Sequence, residues 1–391
     1  MEDIKRVRLS EIAELITKGT TPTTLGYEFQ DEGINFLKIE CFGENGDFIK
    51  NKVAHISEEC HEKLKRSQLK SGDILFSIAG AIGRVAIVTG EMLPANTNQA
   101  LAIIRIADKN VYLPYIKLIL TSPIVIEQFE KKKQGVAQLN LSLKDINELS
   151  IPLPSKEKQI ELAELFKKVA SVIFKRNKEL MSLDELIKAR FVEMFGDPVR
   201  NEKGWNTAEL NAVCDGIGDG LHGTPEYDDN GQFPFINGNN LIDGAVTITA
   251  TTKLVNEETY NKYYIKINDN AILLSINGTL GKLAFYNGEQ VMLGKSACYC
   301  NLKPEINKMF VYGVMKTEAF KRYLESNATA STIKNVGLKA IRGFELIMPP
   351  EELQNQFVEF ANYIDKLKIK VQQSLDKTQL LFDSLMQKYF G

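Results

Sequence analysis

The 391-residue sequence lacks any apolar run of about eighteen residues, so no membrane-spanning helix is expected. Residues 1–6 are charged and hold no apolar stretch, and a secretory leader is not expected either. Cysteine is scarce: Cys41, Cys60, Cys214, Cys298 and Cys300 form no CxxC and fit no disulfide framework, which predicts reduced thiols and a cytoplasmic setting. Histidine is scarcer. His55, His61 and His222 have no zinc-ligand spacing with the cysteines, so no metal site is expected. Neither sign of charge dominates: 48 Lys and Arg stand against 50 Asp and Glu, so any polyanion site has to be a local patch. The signatures of catalysis are missing as well. There is no phosphate-binding GxxxxGK[ST], no GxGxxG after a strand, no Asn-Pro-Pro-aromatic tetrapeptide, no GxSxG and no HExxH. The composition, 44% hydrophobic and 25% charged, is that of a folded globular chain, and its length predicts two or three domains. These absences describe a binding protein rather than an enzyme.

What is present is a repeat. Residues 74–86 (ILFSIAGAIGRVA) match residues 272–284 (ILLSINGTLGKLA) at seven of thirteen positions, with Ser77 and Ser275 separated by 198 residues. Phe36-Leu37 answers Phe235-Ile236, Thr21-Pro22 answers Thr224-Pro225, and Leu143-Lys144 answers Leu338-Lys339, all near half the chain length. One unit is therefore used twice, and the period is far too long for a solenoid. Each half reads as a short amphipathic helix (residues 9–16 with Ser10 as N-cap), short strand-like runs at 34–39, 72–78, 84–88 and 101–106, and a helix at 112–133. Helices and strands do not alternate strictly, so the expected class is α+β.

Each half closes with a proline-rich gate, Pro152 and Pro154 or Pro349 and Pro350, followed by a long helical pattern. Steps of four and three residues pick out Leu162, Phe166, Val169, Ile173, Leu180, Leu183 and Ile187 in the first helix. In the second they pick out Phe357, Phe360, Ile364, Leu367, Val371, Leu381 and Leu385. That 3.5-residue repeat is a coiled-coil seam. Two equivalent seams predict an antiparallel pair about a pseudo-two-fold axis, with a globular unit at each end of a rod. The expected organisation is a recognition domain at 1–153, a long helix at 154–196, a second domain at 197–348 and a second helix at 349–391.

The candidate binding surface is built from the repeated glycine turn and from amides. Gly80, Gly83 and Arg84 correspond to Gly278, Gly281 and Lys282, with Asn277 beside them. Glycines expose backbone N–H groups, and the following cation can lie against a phosphate. The alternative is a tight turn whose glycines serve geometry alone. Asn96, Asn98, Gln99, Gln138 and Asn140 in the first half, and Asn237, Asn239, Asn240, Lys334 and Asn335 in the second, are side chains able to contact base edges. The alternative for the amides is turn chemistry. Lys131, Lys132 and Lys133, with Lys63, Lys65, Arg66 and Lys70, are either solvated faces or local positive potential.

The segment Gln134-Gly-Val-Ala-Gln138-Leu-Asn140-Leu-Ser142-Leu-Lys-Asp-Ile146, running into Pro152, Pro154 and Gln159, resembles the junction between a target-recognition domain and a long helix in the specificity subunits of type I restriction–modification systems. Residues 332–341 running into Pro349, Pro350 and Gln354 or Gln356 are a weaker second copy. Gly19-Thr20-x-Pro22 and Gly223-Thr224-Pro225 resemble that family's opening motif. The resemblance implies two target-recognition domains, each reading one half of a split double-stranded DNA site in the major groove, joined by antiparallel helices. It implies no catalytic residue and no cofactor in this chain. Two methylation subunits would dock on the helices and use S-adenosylmethionine, and restriction subunits would use ATP and Mg2+. The competing expectations are a stand-alone DNA-modifying or DNA-cleaving enzyme with a cryptic site, and a duplicated protein-binding scaffold.

Overall fold

The computed structural model describes residues 5–43, 46–130 and 140–390. Gln138 and Lys131, Lys132 and Lys133 lie outside the described residues. By contacts the chain divides into two compact units, Met1–Asn177 with Gln373–Gly391, and Lys178–Gln372. Each unit takes part of both long helices, so the division differs from the four consecutive segments expected above.

In the first unit an antiparallel sheet runs in the order Leu15–Lys18, Leu101–Arg105, Ile74–Ser77, Val85–Ile87. A three-stranded sheet places Ala54–Ile56 antiparallel and Ala95–Thr97 parallel to Ile34–Leu37. Arg6–Arg8 pairs with Ser150–Pro152. The second unit repeats this order and sense: Cys214–Asp219, Ala297–Leu302, Ala271–Ser275, Leu283–Phe285 in one sheet, and Leu254–Val255, Phe233–Ile236, Met292–Leu293 in the other. Asn206–Glu209 pairs with Glu345–Met348. Registers repeat too, Leu75 facing Ala86 as Leu273 faces Ala284. The strands Ile74–Ser77 and Ala271–Ser275 are buried along their whole length, which is why each reads as a continuous apolar run rather than an alternating one. All five cysteines are buried free thiols.

Two expected helices change. The helix read at 9–16 is a single turn, Leu9–Ile12, entered from Arg8 without a side-chain cap from Ser10, and Leu15–Lys18 is an edge strand. Pairing with Leu101–Arg105 outweighs the local helical pattern. The helix read at 112–133 is two, Leu113–Leu120 and Pro123–Glu130, because Pro123 lacks the N–H that a continuous helix needs and instead starts a new one.

The long helices are Lys156–Phe195 and Glu351–Phe390, each of 40 residues. Within the first unit the beginning of one meets the end of the other. Phe166 packs on Phe382 and Phe390 at 5.3 and 5.4 Å between ring centroids, and Phe390 reaches Tyr115 at 6.1 Å. The second unit repeats the contact with the helices' roles exchanged, Phe195 lying 5.8 Å from Phe357 and 5.1 Å from Phe310. The pair is thus antiparallel inside each unit. Of the residues on the 3.5 repeat, Leu162, Phe166, Val169, Phe357, Ile364 and Val371 are buried, and Ile173, Leu180, Leu183, Ile187, Phe360, Leu367 and Leu385 are half-buried. Leu381 is the exception at 50% exposure. There the apolar stripe switches to steps of four through Phe382, Met386 and Phe390, which follow a straight helix into the core of the first unit.

The gates are built alike. Gln159 is buried, donates to the carbonyl oxygens of Pro154 and Asn110 and accepts from the Tyr112 N–H. Gln354, not Gln356, is its counterpart, donating to the Pro349 carbonyl.

Candidate nucleic-acid interface

The repeated glycine turn joins Ile74–Ser77 to Val85–Ile87 and Ala271–Ser275 to Leu283–Phe285. In each copy the serine N–H donates across the turn, Ser77 to Arg84 O at 2.9 Å and Ser275 to Lys282 O at 2.8 Å, and the second glycine N–H returns to the serine carbonyl. Gly80 and Gly83 have φ of 72° and 87°, and Gly278 and Gly281 have 75° and 80°. These left-handed angles account for the glycines by geometry. Around Gly80, Gly83 and Gly278 no other atom lies within 4 Å of where a Cβ would be, so these turns also leave their backbone open. Arg84 is half-buried and donates to the Phe42 carbonyl at 2.9 Å, which commits it to its own unit.

In the second unit the turn forms one wall of an open cleft of about 610 Å³, lined by Asn237, Asn239, Asn277, Gly278, Thr279, Ser296, Thr332, Ile333 and Lys334. Five of the residues singled out from the sequence thus meet in one place. Gly278 N donates to Lys334 O at 2.9 Å and Asn277 Nδ2 approaches Asn335 Oδ1 at 3.4 Å, tying the 332–335 loop to the turn. Asn239 and Lys334 are exposed, and Lys334 is the only charged residue in the lining. The cleft therefore offers amide and hydroxyl groups, which donate and accept, with one cation at its edge. That is the chemistry of base-edge and phosphate contacts.

Several of the predicted amides make bonds within their own unit. Asn96 is fully buried; its Nδ2 donates to Leu64 O and Ser67 Oγ, and its Oδ1 meets His61 Nδ1. It cannot reach DNA. Asn240 accepts from Asn237 N and donates to Thr247 O, Asn237 Oδ1 accepts from Ser296 Oγ, and Asn98 Oδ1 accepts from Ala100 N. Gln99 is exposed and bonded by Thr21 Oγ1, and Asn140 is exposed. The structural counterpart of Asn237 to Asn239 in the first unit is Lys38 to Glu40, which precede the same turn after the same strand. Sequence reasoning missed this pair, along with Ser296, Thr279 and Lys295, because neither carboxylates nor lone lysines stood out as a motif.

The opening motif needs one correction. Gly19 and Gly220 are the equivalent glycines, not Gly19 and Gly223. A Cβ on Gly19 would lie 1.9 Å from Thr97 O and one on Gly220 2.0 Å from Leu293 O, whereas Gly223 has open space around it. The close approach lets Thr20 N donate to Thr97 O and Leu221 N to Leu293 O, pinning the loop to the ends of the strands Ala95–Thr97 and Met292–Leu293. Among the described residues no three His, Cys, Asp or Glu side chains converge as a metal ligand set would.

Comparison with known proteins gives a consistent picture. The family profile "Type I restriction modification DNA specificity domain" matches residues 1–181 and again 202–378. The specificity subunit of the type I restriction enzyme EcoBI from Escherichia coli is 31% identical over 170 residues, covering 42% of this chain and 35% of that protein, so the match spans about a third of its length. The MjaIX specificity subunit from Methanocaldococcus jannaschii is 21% identical over 411 residues, covering 99% of this chain and 92% of its own length. Among solved structures, a chain from a study of complex assembly and conformational transition in the type I R-M system superposes with a TM-score of 0.62 at 17% identity, covering 98% of this chain and 96% of that one. The S subunit of a type I restriction–modification system from M. genitalium gives 0.50 at 16% identity, covering 100% and 97%. At such identities the structural likeness establishes the fold.

Proposed function

Since the chain belongs to the type I restriction–modification DNA specificity family, whose members recognise DNA and leave catalysis to other subunits, we propose that it reads a two-part double-stranded DNA target, one half-site per unit. The observation that carries this reading is the duplication itself: the same sheets, the same glycine turn and the same pinned loop occur in both units. The residues on that surface differ, Asn237 to Asn239 against Lys38 to Glu40, so the two half-sites differ in sequence. The reading side chains lie on loops, which enter the major groove, where all four base pairs are distinguishable.

The long helices join the two readers and set the gap between half-sites. They also dock two methylation subunits. Support for docking comes from large apolar side chains left exposed on them: Val172 and Phe174 in the first unit, and Met181, Val192, Tyr363 and Ile369 in the second. S-adenosylmethionine is then used by the methylation subunits, and ATP and Mg2+ by restriction subunits, with no cofactor bound by this chain.

The test is an exchange. Residues 1–150 are replaced by those of another family member, the variant is expressed with its methylation partner, and methylated motifs are mapped by single-molecule sequencing. One half-site is expected to change and the other to persist; a change in both would refute independent reading.

A further inference from the structure

Gly33 and Gly231 align the two units at a second place. A Cβ on either would lie 2.5 Å from a carbonyl oxygen, that of Ile56 or Val255. Gln30 N donates to His55 O at 2.9 Å as Asp228 N does to Leu254 O at 3.0 Å. Phe29 and Tyr227, each one residue earlier in its loop, therefore occupy one position of the fold. Each ring leans on the equivalent strand phenylalanine, Phe29 on Phe36 at 5.3 Å and Tyr227 on Phe235 at 5.9 Å. Each stays open to solvent, at 37% and 40% exposure. An ammonium stands by each ring: Lys38 Nζ at 4.5 Å from Phe29 and Lys253 Nζ at 5.9 Å from Tyr227. Lys38 also lies 3.9 Å from Glu40.

The two lysines come from different elements. Lys38 precedes the turn that bears Glu40, and Lys253 precedes the strand Leu254–Val255. The pairing of an open ring with a cation is thus reached by two routes at one site, which a shared backbone alone does not produce. The location is equally specific. Tyr227 lines a second open cavity of about 300 Å³ with Thr224, Asn237 and Lys295, and Asn237 is shared with the amide cleft. In the first unit Lys38 is itself the counterpart of Asn237.

Resting on the DNA-reading function above, we propose that Phe29 and Tyr227 are stacking platforms, one per half-site. Each takes the face of a base that has left the helical stack at the edge of the site, and the adjacent lysine holds that nucleotide's phosphate. A stacked pair hides base faces, so an exposed ring can take a base face only from a base that is unstacked. Enzymes that modify bases create such bases when they extrude their target. Stacking on an aromatic tolerates any base, while the lysine contributes a salt-dependent term.

The test measures binding of the full chain, assembled with its methylation partner, to its target duplex over a range of salt. Tyr227→Ala is expected to weaken binding by roughly five- to a hundred-fold with an unchanged salt slope. Tyr227→Phe is expected to restore binding to within about twofold, since the face and not the hydroxyl does the work. Lys253→Ala is expected to lower the salt slope by about one. A 2-aminopurine scan of the duplex should find one position whose fluorescence rises in Tyr227→Ala, and a distinct one for Phe29→Ala in the other half-site. Wild-type affinity in Tyr227→Ala, or no rescue by Tyr227→Phe, overturns the platform. If the unaltered complex does not bind the duplex at all, the DNA-reading function fails instead.

Discussion

Asn96 and Met292 sit at one register position, facing Phe36 and Phe235 in the parallel pairs of the two units. Both are buried. The same slot holds a polar amide in one copy and a thioether in the other, and only the copy with partners around it can carry the amide. Asn96→Ala is expected to cost about 1–3 kcal/mol, because its buried donations to the Leu64 carbonyl and the Ser67 hydroxyl and its contact with His61 Nδ1 are lost. Denaturant unfolding would measure it, and a variant that unfolds like wild type while losing DNA affinity would return Asn96 to the reading surface. A second residue gives a pH-dependent outcome. Burial pushes the Asp365 carboxyl above its ordinary 3.8, with Lys368 pulling the other way. The folded state then holds its proton more tightly than the unfolded chain, so stability falls as pH rises through the shifted value. Asp365→Asn is expected to raise the Tm at pH 7, with the gain shrinking as pH approaches 3.8. A gain that persists undiminished in acid would show that some other contact is responsible. Neither residue's role was legible in the sequence. An asparagine reads alike whether it faces water or a carbonyl, and a helical aspartate reads as solvated.

At the scale of elements, much more was legible. The repeat, the class α+β, the long helices and the burial along much of their apolar stripe follow from apolar spacing, which records burial directly. Spacing fails where tertiary contacts choose between two compatible patterns. Residues 9–16 carry a helical period, yet sheet pairing claims Leu15–Lys18. The tail of the second long helix carries both a 3.5 and a four-residue step, and the core of the first unit selects the latter through Phe382, Met386 and Phe390. The consequence is a contrast within one helix pair. Phe166, 2% exposed and in contact with two aromatic rings, is expected to lose about 3–5 kcal/mol as Phe166→Ala. Leu381→Ala, at 50% exposure, is expected to stay within about 0.5 kcal/mol in the isolated chain. Urea unfolding of the two variants checks this, and equal losses would place Leu381 back in the seam. The reading surface was legible only in its glycine turn and part of the amide cleft. Its remaining members, Ser296 and Lys38, are brought there by strand pairing between distant segments, and no local pattern marks them.

For the whole molecule, the consequence of the proposed function is metric. If each unit reads one half-site, the chain that joins them fixes the gap. Each long helix has 40 residues, about 60 Å at 1.5 Å per residue, and passes from one unit's share to the other's at Asn177 or Gln372. Inserting four residues after Asn177 and four after Gln372 lengthens both helices by about 6 Å, close to two base-pair steps at about 3.4 Å. Each added step also turns the far half-site about the duplex by roughly 34°, so larger insertions carry a growing rotational mismatch and the short one is the sharper probe. Both half-sites are expected to survive in the methylated motif, because neither reading surface is touched, while the unread gap between them grows by one or two base pairs. Single-molecule sequencing of the methylated genome reads gap and half-sites together. A motif with its original gap would mean that the helices do not measure the DNA, and that the spacing is set by the partner subunits.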